Sequence, residues 1–140
     1  MKVEFDITEV EGNLKKLLQK LPEATVQVMR NATLVVEEQA KENCPVDTGT
    51  LRSSISSEVD REGKDIVGYV YTNEKYAIHV HFGTGIFSQG SGRGTAWKFK
   101  DRKGKWHSTL GQKATPFLQD AINQKQGEVI NELKKVLDYV

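Results

Sequence analysis

The chain has 140 residues but only one cysteine, Cys44, so no disulfide can form within it. That usage fits a reducing compartment, or indifference to redox. No apolar run approaches the ~18 residues of a membrane span, and the N-terminus lacks the apolar region of a signal peptide. The chain is therefore expected to act without export or insertion. Net charge is nearly absent: 20 basic and 19 acidic residues leave +1, which argues against a generally basic nucleic-acid coat. There is no Cys-x-x-Cys, no His-Glu-x-x-His and no Gly-Lys-Ser/Thr. Structural zinc, zincin and P-loop chemistry lose their usual signatures. Gly90-Ser91-Gly92-Arg93-Gly94 has no phosphate-loop lysine after it and opens no helix, so flexibility is its better reading. Prolines number three, and each falls at a boundary.

What is present describes one domain, 1–140, long enough to bury roughly two-thirds of its unfolded surface. Val3, Phe5 and Ile7 alternate with Lys2, Glu4 and Asp6, the period of a half-buried strand. Thr8 and Glu11 form a capping-box pattern for a helix with Val10, Leu14, Leu17, Leu18 and Leu21 on one face. Pro22 suits the first turn of a second helix running to about Asn43, with Met29, Ala32, Val36 and Ala40 inward. Cys44-Pro45-Val46-Asp47-Thr48-Gly49-Thr50-Leu51-Arg52-Ser53-Ser54-Ile55 then makes a corner. Pro45 stops the helix, Asp47 and Thr48 can hold backbone donors, and Gly49 can take positive φ. Leu51, Ser53 and Ile55 are expected to begin a strand.

Strands are expected over Leu51–Val59 and Ile66–Thr72, joined by the polar turn around Gly63, with Tyr69 and Tyr71 on one face. The alternation in Tyr76–Phe82 predicts another strand, with a short helix as the alternative for so brief a run. Gly83–Thr95 carries five glycines and the apolar pair Ile86 and Phe87. Thirteen residues without structure of their own are uncommon and often functional. The apolar pair either tucks onto the core or is carried outward to a partner. Ala96–Lys100 and Lys105–Thr109 read as a hairpin bearing Trp97, Phe99 and Trp106. Thr115-Pro116 opens a long amphipathic C-terminal helix with Leu118, Ile122, Val129, Leu133, Val136 and Val140 at helical spacing. The fold class is α+β: an antiparallel sheet with a long hairpin, packed against amphipathic helices including a long C-terminal one.

Charge is distributed unevenly. Arg93, Lys98, Lys100, Arg102, Lys103, Lys105 and Lys113 face only Asp101 in residues 93–113, so that stretch carries +6 and the remainder of the chain −5. Basic residues interleaved with Trp97, Phe99 and Trp106 suit single-stranded nucleic acid or a phosphate backbone. They equally suit an acidic protein surface, or simple solvation. Cys44 with Asp47, His79 and His81 would make a cysteine nucleophile only if thiolate and imidazole met; a helix-end cysteine is more commonly a small buried apolar residue. On a strand, His79 and His81 would share a face and offer two ligands to zinc; on a helix they would diverge.

The corner Pro45-Val46-Asp47-Thr48-Gly49-x-Leu51-Arg52-x-Ser54 resembles the tail-completion, or head–tail joining, family of long-tailed bacteriophages. Three later blocks are similar in the same order: Tyr76-Ala77 leading to Phe82-Gly83-Thr84-Gly85, the Trp97–Trp106 hairpin, and Gly111-Gln112 leading to Pro116-Phe117-Leu118. His81 stands where the family usually has glutamate. The resemblance implies a non-enzymatic phage or prophage virion protein without cofactor or metal. It would be made in the host cytoplasm and would sit at the neck or tail end of the virion. Its implied partners are the head connector or stopper, the tail tube and copies of itself, typically in a hexameric ring through which DNA passes. No membrane is implied. The loop residues Gly83, Thr84, Gly85, Ile86, Phe87 and Arg93 are expected to contact partners, as are Trp97, Lys98, Lys100, Arg102, Lys103 and Lys105 of the hairpin. Pro45, Asp47, Thr48, Gly49, Leu51 and Arg52 are expected to hold the corner. The alternative function is a nucleic-acid-binding module built on the basic hairpin.

Overall fold

The helix Pro22–Asn43 (α2) sets the layout. The computed structural model describes residues 1–6, 12–45, 49–62, 65–83, 96–100, 103–111 and 113–139, with the backbone alone at Trp97 and Phe99. The chain divides into two units, Met1–Asn73 with Phe117–Val140, and Glu74–Pro116.

In the first unit, strand β1 (Lys2–Asp6) precedes helices α1 (Gly12–Lys20) and α2. Pro22 occupies the first turn of α2, where its missing N–H would have had no intrahelical acceptor. Thr25, Val28, Met29, Ala32, Thr33, Val36 and Ala40 form its buried stripe. Two members of that stripe are threonines, which apolar periodicity alone does not pick out. Each returns its hydroxyl to the backbone: Thr25 Oγ1 lies 2.6 and 2.7 Å from the carbonyl oxygens of Leu18 and Leu21, and Thr33 Oγ1 lies 2.6 Å from that of Met29. Buried hydroxyls satisfied in this way avoid a desolvation penalty of about 1–3 kcal/mol each.

At the end of α2, Cys44 is extended (φ −69°, ψ 127°) ahead of Pro45, as the proline requires. Gly49 takes φ 76°, the left-handed conformation expected of it. The expectation of a strand from Leu51 is corrected: Thr50–Ser54 is a short helix (α3), and strand β2 runs from Ser56 to Glu62. Leu51 and Ile55 are both buried, and their four-residue spacing serves a helical turn as well as alternation does a strand. Serine chemistry favours the turn, because the Ser53 and Ser54 hydroxyls donate to the Thr50 and Leu51 carbonyls at 3.1 and 2.6 Å.

Strand β3 (Asp65–Tyr71) is central, with β1 and β2 antiparallel on its two sides. Ile66, Gly68 and Val70 alternate onto the α2 side; Val67, Tyr69 and Tyr71 alternate onto the other. Gly68 is the close approach: a Cβ there would lie 2.5 Å from Thr33 Oγ1 and 3.1 Å from Phe5 Cζ. Helix α5 (Phe117–Lys134), followed by a 3₁₀ turn (Lys135–Tyr139), packs along α2. Leu18, Val28, Met29, Ala32, Ile66, Leu133 and Val136 form the core cluster. Asn43 ties the end of α2 to the start of α5, donating to Gln124 Oε1 at 2.9 Å and to the Phe117 carbonyl at 3.4 Å.

In the second unit, Ala77–Phe82 is helical (α4), which corrects the expected strand. Ala77 and Val80 are buried at i, i+3, whereas Ile78 and Phe82 stay 54% and 43% exposed. A strand would have placed Ile78, Val80 and Phe82 together on one face. The helix satisfies its backbone locally, with His79 and Val80 N–H donating to the Tyr76 carbonyl at 3.0 and 3.2 Å, whereas a strand would need a partner edge. Strands β4 (Trp97–Lys100) and β5 (Trp106–Thr109) form the expected antiparallel hairpin, with Gly104 at φ 81° in its turn. The architecture is α+β, as the order of elements implies.

Candidate interaction surfaces

The hairpin register sets the first surface. Lys98 pairs with Ser108 and Lys100 with Trp106, so both lysines share a face with the indole. Lys98, Lys100, Lys103 and Lys105 are exposed, and Trp106 is 62% exposed. Lys100 Nζ lies 5.7 Å from the centre of the Trp106 ring, within cation–π range. Trp97 pairs with Thr109 in the backbone ladder. Arg102 lies outside the described residues.

The second surface is the side of the three-stranded sheet turned away from α2. Register places Glu4 and Glu58 on either side of Tyr69, Asp6 and Asp60 on either side of Val67, and Glu62 opposite Asp65. Lys2 is the single cation among these positions, and its Nζ sits 4.5 Å above the Tyr69 ring. The Tyr69 hydroxyl donates to Glu62 Oε1. Because Glu62 pairs with Asp65 rather than with Tyr69, the ring must lie along the face over Val67, and both residues are 6% exposed. The bond to Glu62, burial, and the carboxylates of Glu62, Glu4 and Asp60 push the phenol up to about 12. Sequence reasoning noted the Lys2-Glu4-Asp6 alternation but did not join it to Glu58-Asp60-Glu62. The shared period of two was the available signal.

Part of the corner lies within the described residues. Leu51 is buried, and Arg52 Nη2 donates to the Cys44 carbonyl at 3.2 Å, so its described partner is backbone rather than an acid. Pro45 is exposed; Asp47 and Thr48 lie outside the described residues. Cys44 is 2% exposed. Burial raises its thiol pKa and the nearby Arg52 guanidinium opposes that only in part, the reverse of what activates a cysteine nucleophile. Because α4 is a helix, His79 and His81 are two residues apart around it and diverge, which removes the shared face that a zinc pair would need. Among the described residues, no three His, Cys, Asp or Glu side chains are grouped to hold a metal ion. Of the loop, Gly83 closes α4 at φ 79°; Thr84, Gly85, Ile86, Phe87 and Arg93 lie outside the described residues.

The described residues form an α+β fold with one basic and one acidic strand-built face. Residues 8–83 match the model of the HK97-gp10-like family, described as "Bacteriophage HK97-gp10, putative tail-component", and the chain belongs to that family. Membership places it among phage tail components and so in the virion. The match runs from before α1, through the corner, to the end of α4; the hairpin and α5 lie beyond it. Neither curated proteins nor solved structures gave a match. Among the described residues no helix is long and apolar enough to cross a membrane.

Proposed function

We propose that the protein is a non-enzymatic tail-completion protein, which finishes the tail end and joins it to the head connector. The family match over residues 8–83 carries this reading. Subunits assemble into a ring, a hexamer matching the tail tube, around the path of the DNA. The whole chain, 1–140, acts as one domain. The glycine-rich segment 83–95, with Gly83, Thr84, Gly85, Ile86, Phe87 and Arg93, and the hairpin residues Trp97, Lys98, Lys100, Arg102, Lys103 and Lys105 supply partner contacts. Ordering a segment on docking costs several kcal/mol of gross binding energy, which a multivalent ring contact can offset. Electron microscopy of lysates from a phage with a nonsense mutation in this gene tests the reading. Filled heads and full-length tails should lie unjoined, and purified protein should restore joining. Normally joined particles would sink it.

A second reading rests on the exposed lysines beside Trp106. A phosphate-tracking strip next to a stacking indole suits nucleic acid. It requires DNA affinity that falls steeply with salt and is lost on neutralising Lys98, Lys100, Arg102 and Lys103. Affinity unchanged by those substitutions excludes the hairpin as a DNA site.

A further inference from the structure

We propose that the acidic sheet face is a docking surface for the lysine–tryptophan face of the hairpin of a second copy of this chain. The proposal rests on the ring reading above and names the contact that would build the ring. Glu4, Glu58, Asp60 and Glu62 are exposed, and so are Lys98 and Lys100. Both surfaces are therefore available on a single chain. Their charges are opposite: six carboxylates against Lys2 on the sheet face, and Lys98 and Lys100 beside Trp106 on the hairpin.

Their spacings agree as well. Glu58 and Asp60 are two residues apart on β2, as are Lys98 and Lys100 on β4. Each pair is thus separated by about 7 Å along its strand, so two lysines can face two carboxylates in register. Trp106, 62% exposed, would lie beside the two lysines against the exposed side chains of β2. The acidic rows carry an intrinsic cost in the lone chain, since like charges clustered on one sheet face repel. The Tyr69 phenol, raised chiefly by its bond to Glu62 and by burial, is pushed up further by the carboxylates of Glu62, Glu4 and Asp60. A cationic partner relieves that repulsion.

Such a contact is heterologous, since one patch binds a different patch on the next subunit. Repeated with a rotation that closes, it generates a ring. Its strength should depend on salt, because exposed ion pairs are screened over roughly 8–10 Å at physiological ionic strength.

Charge reversal tests it by sedimentation velocity at low salt. One variant carries Glu58→Lys and Asp60→Lys, the other Lys98→Glu and Lys100→Glu, each checked for native circular dichroism. Wild type should self-associate, and salt should weaken that association. Each variant alone sets like charge against like at the paired positions (58 and 60 facing 98 and 100) and should associate at least about tenfold more weakly. An equimolar mixture restores opposite charges at every contact and should regain association, as should one chain carrying all four substitutions. A wild type that stays monomeric at all concentrations overturns the proposal. So does either variant associating as wild type does, or a mixture of folded variants that stays apart. Failure of the tail-completion reading is separate: joined particles without the protein would sink that role while leaving the self-association result standing.

Discussion

Replacing Gly68 by alanine should wedge the sheet away from α2. The added Cβ would sit 2.5 Å from Thr33 Oγ1 and 3.1 and 3.2 Å from Phe5 Cζ and Cε1. Thr33 cannot easily yield. It is 1% exposed, its hydroxyl is bonded to the Met29 carbonyl, and rotating a β-branched residue only brings its methyl round instead. Overpacking of this kind costs about 1–3 kcal/mol, partly offset by about 0.5 kcal/mol gained from replacing glycine within a strand. Set against a total stability of about 5–15 kcal/mol, a net loss near 1–2 kcal/mol should lower the urea midpoint by roughly 0.5–1 M. The matched test is the same substitution in a Thr33→Ala background. With Oγ1 removed only the tight approach to Phe5 remains, and Gly68→Ala should cost about 1–2 kcal/mol less than in the wild-type background, which is the coupling energy. Equal destabilisation in both backgrounds would refute the reasoning, as would no destabilisation in either.

Ultraviolet titration of the tyrosines should resolve one phenol near 12, and Glu62→Gln should lower it. The folded state holds that proton where the unfolded chain, with an ordinary value of 10, releases it. The corresponding stability is therefore complete below about pH 10 and is lost as pH rises toward 12; Tyr69→Phe should flatten that part of the pH–stability curve. Cys44 should react slowly with a thiol reagent at pH 8 in the folded protein and quickly in urea, since burial raises its pKa. Rapid stoichiometric labelling of native protein would contradict its placement. Thr25→Val should cost about 1–2 kcal/mol in chemical denaturation, because the Thr25 hydroxyl lies against the Leu18 and Leu21 carbonyls where α1 meets α2. A stability change below 0.5 kcal/mol would mean that water replaces that hydroxyl.

Long amphipathic patterns and backbone punctuation were legible without coordinates. Pro22 and Pro45 bound α2 because a proline costs nothing in the first turn and cannot continue a helix past the last. Gly49 and Gly104 take positive φ because only glycine does so without strain. The α5 pattern follows from a period of 3.6 sustained over enough residues, and the hairpin from the glycine-containing turn between its two short aromatic runs. Two short runs were not legible. Leu51–Ile55 and Ala77–Phe82 read equally as alternation or as a helical turn, and a segment of five to seven residues contains too few repeats to separate the two. Tertiary structure decided them: Leu51 and Ile55 are buried from one turn in the first unit, and Ala77 and Val80 from one turn in the second. Local carbonyl and hydroxyl bonds satisfied those turns where no strand edge was needed. The acidic face was likewise a product of assembly. Its carboxylates are distant in sequence, and only the β1–β3–β2 register gathers Glu4 and Glu58 around Tyr69. Composition determined that the chain carried opposite charges in different stretches; strand pairing determined that the acidic ones became a surface.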